Sequence, residues 1–171
     1  MRSSVPVFIL LLILATVYGL TLAPGVTWAN QGADSGDLVS AAWLGGVAHP
    51  PGYPLYLGLA WLAQRVLPGE VALRSNLLSA FFALLAALGL YAWLRRLAVS
   101  ASLAGLAALS LGLAPLVWSQ AVISEVYTLQ LFLSVLVLLQ LSWGSGWFAG
   151  DLLRGLIFGL ALANHPTSLF L

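Results

Sequence analysis

Four side chains in a nearly uncharged chain stand out as groups that could move protons: Asp34, Asp37, His49 and Glu125. The whole 171-residue sequence has only five acids, six basic residues (every one an arginine) and two histidines. Asp34 and Asp37 stand three apart, so a helix would place them on one face. Such a pair can cap a helix start and complement its positive end, in the manner of a capping box. It can equally supply a catalytic base or a cation site, and the spacing leaves both readings open. Glu125 stands in the opening turns of an apolar run. A carboxylate there costs roughly 2.5–3.5 kcal/mol at a helix centre and less near the end. It either snorkels to the surface or is held there for use. His49 opens the run His49-Pro50-Pro51-Gly52-Tyr53-Pro54, which forbids helix, because proline lacks a donor and biases its predecessor to extended geometry. The ring either faces water from a rigid turn or faces a ligand. Arg74, before the next apolar run, reads as an interfacial anchor or as a contact for a lipid phosphate. His165, in Asn164-His165-Pro166, marks a helix break or a ligand contact.

The elements that must position these residues are greasy. Hydrophobic residues make up 61% of the chain and charged residues 6%, against about 25% charged in ordinary globular domains. The expected fold class is therefore all-α, a polytopic transmembrane helical bundle of five spanning helices with two short interfacial helices in the first external loop. Residues 5–23 form the first run, roughly 28 Å as a helix and close to the ~30 Å hydrocarbon core. Their length exceeds the usual signal-peptide core, which favours an uncleaved first helix. Short helices are expected over 38–44 and 55–66, the second too short to cross. Spans are then expected over 77–94, 97–118 and 119–141, with a fifth starting at Leu152 beyond a connecting turn at 143–150. His165 would lie about 20 Å up that fifth helix.

With five spans, Arg2, Arg95, Arg96 and Arg154 fall on one side and Arg65 and Arg74 on the other. The positive-inside rule makes the larger group, and the N-terminus, cytoplasmic. Asp34, Asp37, Glu70 and Glu125 then lie outside, so three carboxylates and His49 converge on one external face. Composition suits a bacterial inner (plasma) membrane. The chain stops within an apolar run, which suggests an N-terminal part of a longer protein, residues 1–171 forming part of one transmembrane catalytic domain. Absence of cysteine excludes disulfides and thiolate metal sites, and the small net charge carries no message about nucleic acid.

The ordered set DSGD, HPPGYPLY, ALRSNLLSAFFALLAALGLYAWLRRL, WSQAVISEVYTLQLF and GLALANHPTSLF resembles the GT-C glycosyltransferases. The likeness runs over essentially the whole chain. The nearest branch comprises unknown-function proteins related to protein O-mannosyltransferases, whose animal member is an O-mannosyltransferase; lipid A aminoarabinose transferases are more distant. The resemblance implies a polyprenyl-phosphate-linked sugar donor, a protein, lipid or glycan acceptor, and an inverting transfer on the extracytoplasmic side of the lipid bilayer. It places Asp34 as general base, Glu125 as the acid opening the fourth span, and His49, Pro50 and Pro51 in the turn shaping the donor pocket. Asp37 stands where many relatives have glutamate. On this reading Asp34, Asp37 and Glu125 are catalytic, and His49, Pro50, Pro51, Tyr53, Arg74 and His165 bind substrate. A divalent cation is the one cofactor left open. The competing functions are a transporter or lipid flippase, which would place ionisable groups at mid-bilayer, and a non-catalytic membrane assembly subunit.

Overall fold

The structure, a computed structural model, describes residues 5–142 and 148–170. Arg2 and residues 143–147 of the expected connecting turn lie outside them. Among the described residues every regular element is helical: α1 (Val5–Thr21), α2 (Ser35–Leu44), α3 (Pro54–Val66), α4 (Val71–Arg96), α5 (Ala101–Leu113), α6 (Pro115–Ala121), α7 (Tyr127–Leu141) and α8 (Phe148–Asn164), with 3-10 turns at Ala29–Gln31 and Pro166–Phe170.

Helix α4 is the shared wall of two cores. On one side Leu10, Leu14 and Tyr18 of α1 pack with Ala80, Ala83 and Ala87 of α4, Ala108 of α5 and Ala121 of α6. On the other, Leu38 of α2 and Tyr56 and Leu57 of α3 pack with Phe82 of α4, Leu129 and Leu133 of α7 and Ala161 of α8. Small residues let the helices approach closely. At Gly112 a Cβ would fall 2.6 Å from the Leu14 side chain, and the Tyr18 hydroxyl donates to the Gly112 carbonyl at 2.7 Å.

Among the described residues, length and composition qualify one helix, α4, to cross a membrane, and up to two if the bent pair α5–α6 counts as one. Helices α1 and α7 are apolar but only 17 and 15 residues long. The five expected crossings are therefore not established by helix length. Two of those runs are broken. The run 97–118 is cut at Ala114–Pro115, where α5 and α6 meet at 64°, since proline removes a backbone donor and clashes with the preceding turn. The run 119–141 opens with the end of α6 and becomes helical again only at Tyr127, after a non-helical stretch at 122–126. Helix α4 begins earlier than expected, so Arg74 lies in its first turn and not before it. Helix α8 stops at Asn164, and His165 sits in the junction to the last 3-10 turn.

Candidate active site

The site is built around the non-helical stretch 122–126. Such backbone survives among apolar helices only if its polar groups find partners within the protein, and several of them do. The Val122 carbonyl accepts from Ala23 N–H at 2.9 Å, and the Ser124 carbonyl from the Ser35 hydroxyl at 3.0 Å. Ser79, on α4, accepts from Glu125 N–H and donates to its carbonyl, both at 3.2 Å. Asn76, one turn earlier, accepts from the Ser124 hydroxyl and donates to the carbonyls of Ala23 at 2.8 Å and Gly25 at 3.2 Å. One buried asparagine thus ties together the end of α1, helix α4 and the broken segment. From the far side Asn164 donates to the Val126 carbonyl at 3.2 Å. Glu125 is held in this frame with only 2% of its surface exposed.

Asp34 stands at the N-cap position of α2, but its side chain makes no capping hydrogen bond. Asp37 makes no capping box either. Its Oδ2 accepts from the backbone N–H of His49 at 2.9 Å and lies 2.8 Å from the ring Nδ1. These bonds, the backbone one foremost, hold the Asp37 carboxyl below the usual carboxylate range. The other ring nitrogen, Nε2, faces Asp34 Oδ2 at 3.7 Å and the Tyr53 hydroxyl at 3.3 Å. The turn that presents His49 closes with Gly52 N–H donating to the His49 carbonyl at 2.9 Å. It needs glycine at that point, where φ is +90°. A train of rings continues from His49: edge-on to Tyr53 with centroids 5.3 Å apart, then Tyr53 stacked on His165 at 5.8 Å, then His165 against Tyr127 at 5.8 Å.

Asp34 and Glu125 both line one cavity of about 560 Å³. Gln31, Gln120, Thr128 and Gln130 add polar walls, while Leu116, Val117 and Leu131 make an apolar flank. The buried Thr128 hydroxyl has no partner among the described residues, so this wall keeps an unused polar group near Glu125.

Asp34, Asp37, His49, Tyr53, Glu125 and His165 are thus gathered from α2, the proline turn, the broken segment and the end of α8. Arg74 does not join them: its guanidinium donates to the Gly69 carbonyl at 2.7 Å and to the Gln64 carbonyl, closing the α3–α4 turn. Pro50 is exposed. Pro51 lines a separate apolar groove of about 420 Å³ with Val47, Leu57 and Trp61. A divalent cation finds no ready seat, since among the described residues no three His, Asp or Glu side chains are grouped to hold one. Sequence reasoning missed Ser35, Asn76, Ser79 and Ser124. The available signal was Asn76 and Ser79, polar and one turn apart at the start of the apolar stretch 76–94 of α4.

Among the described residues a helical frame presents two carboxylates to one cavity, a scaffold on which hydroxyl chemistry can be done. The family described as "Protein O-mannosyl-transferase TMEM260 N-terminal domain" matches residues 34–171. The chain belongs to that family. A mouse relative, "Protein O-mannosyl-transferase TMEM260", is 36% identical over 174 residues, covering 98% of this chain and 24% of the relative. A Dictyostelium discoideum relative, "Protein O-mannosyl-transferase tmem260", is 29% identical over 148 residues, covering 81% of this chain and 17% of its own length. The chain thus spans about a quarter or less of these relatives. Both are eukaryotic, which lends no support to the bacterial inner membrane expected from composition. No solved structure matches this chain.

Proposed function

We propose that this chain carries the acid–base centre of a GT-C-type membrane glycosyltransferase. It moves a sugar, mannose on the strength of the relatives' names, from a polyprenyl-phosphate carrier to a hydroxyl of a protein acceptor on the extracytoplasmic side. The observation that carries this reading is the shared cavity of Asp34 and Glu125, polar at the carboxylates and apolar toward Leu116, Val117 and Leu131. A sugar with a lipid tail presents that same division.

The anomeric carbon of such a donor already bears its leaving group, so the protein's tasks are positioning and proton removal. Asp34, with half of its side-chain surface exposed, takes the acceptor hydroxyl proton. The hydroxyl oxygen forms the new bond to the anomeric carbon as the bond to the carrier phosphate breaks, the phosphate leaving with the electron pair. In-line displacement inverts the anomeric centre. Glu125 lines the same cavity, and Gln31, Gln120 and Gln130 are available there to bond sugar hydroxyls. Five crossings with a cytoplasmic N-terminus, the shorter helices α1, α7 and α8 included, put this cavity at the external surface. The test is a transfer assay with the purified full-length protein, polyprenyl-phosphate mannose and a serine- or threonine-bearing peptide. Mannosylated peptide supports the reading, and its absence with a well-folded enzyme counts against it.

A further inference from the structure

We infer that Asp37 and His49 form a proton relay behind Asp34, in which His49 Nε2 takes over the proton that Asp34 removes from the acceptor hydroxyl. This rests on Asp34 being the general base. An ionised carboxylate only accepts hydrogen bonds. Asp37 Oδ2 lies 2.8 Å from His49 Nδ1 and accepts from the same residue's backbone N–H at 2.9 Å. The ring hydrogen is therefore on Nδ1, and the neutral ring keeps its lone pair on Nε2. That lone pair faces the Tyr53 O–H, which donates to it at 3.3 Å, and Asp34 Oδ2 at 3.7 Å.

Tyr53 adds an independent sign. It is a bulky residue in the left-handed region, φ +44° and ψ +53°, at the start of α3. Backbone of that kind persists only where the surroundings over-determine it, and it gathers at working sites. Here the conformation brings the phenol to His49 while its ring stacks on His165.

The transfer balances without a co-reactant. The hydroxyl proton passes to the Asp34 carboxylate as the new glycosidic bond forms. Asp34 O–H then closes on Nε2, displacing the Tyr53 O–H, and gives an imidazolium held at Nδ1 by Asp37 that releases the Nε2 proton to water. His49 keeps 36% of its side-chain surface exposed. The ionisable groups around it are Asp34 and Asp37 from α2, Tyr53 from the start of α3, Glu125 and Tyr127 at the entry to α7, and His165 beyond Tyr53.

The chain has only two histidines, which makes the tautomer directly readable. Nitrogen-15 NMR of histidine-labelled full-length protein in nanodiscs, with His49→Gln for assignment, is expected to show neutral His49 protonated at Nδ1 and bare at Nε2. Asp37→Ala should erase that preference and Asp37→Asn weaken it. In turnover, His49→Gln should cost on the order of 10²-fold and remove one ionisation from the pH profile. His49→Gly should regain activity with added imidazole. Neutral wild-type His49 protonated at Nε2 overturns the relay. So does a His49→Gln enzyme with wild-type rate and profile while Asp34→Asn is inactive, which leaves Asp34 as base. An active Asp34→Asn enzyme removes the general base itself, and the relay with it.

Discussion

Asp37 grips His49 through a single carboxylate oxygen, Oδ2, which takes the backbone N–H at 2.9 Å and stands 2.8 Å from ring Nδ1. The two residues are twelve apart, so this contact fixes the path of the whole segment between α2 and the proline turn. It also decides which ring nitrogen is turned toward Asp34.

Because those bonds stabilise the ionised form, the Asp37 carboxyl is lowered from its ordinary value of 3.8. A depressed folded-state value contributes stability that is fully present above the unfolded value and is lost as pH falls through the folded one. The unfolding temperature of the wild type should therefore exceed that of Asp37→Asn at neutral pH. The gap should close below about pH 4. Thermal unfolding of both proteins in the same detergent across that range checks this. A gap that widened on acidification would contradict it.

Asn76 should matter more to folding than its chemistry suggests. Its amide spans three segments, and Asn76→Ala leaves the carbonyls of Ala23 and Gly25 and the Ser124 hydroxyl without that partner. An unsatisfied buried polar group costs about 1–3 kcal/mol. Asn76→Ala is expected to lose stability of that order, measured as a shift in denaturation midpoint, with turnover falling along with the loss of fold.

Arg74 is expected to behave as a turn-closing residue. Its donors serve the Gly69 and Gln64 carbonyls, the latter in the last turn of α3. Arg74→Ala should lower thermal stability by about 1–3 kcal/mol, and Arg74→Lys should recover part of it, since lysine reaches one carbonyl but not both. An Arg74→Ala protein of wild-type stability that no longer uses the donor would instead favour the lipid-phosphate contact.

Much of the frame was legible in the residues themselves. Pro54 marks a helix start, and the short helices expected over 38–44 and 55–66 lie within α2 and α3, whereas Pro115 breaks the run expected to be continuous over 97–118. The convergence of Asp34, Glu125 and His49 follows from a few polar residues in a chain otherwise made of apolar runs. The break at 122–126 was hidden because Val122, Ile123 and Val126 are as apolar as any spanning helix. What unwinds it is hydrogen bonding to Ser35 and Ser79, far away in sequence. The hold of Asp37 on His49 was hidden for a similar reason, since local spacing favoured a capping box and the competing partner came from twelve residues on.

Asp34→Asn tests the proposed general base most directly. The Asp34 side chain makes no capping bond and is half exposed, so this isosteric change should alter stability by less than about 0.5 kcal/mol. It removes the basic oxygen and should reduce sugar transfer by the full-length enzyme by about 10²–10⁴-fold. A folded Asp34→Asn enzyme transferring sugar at the wild-type rate would contradict Asp34 as the base.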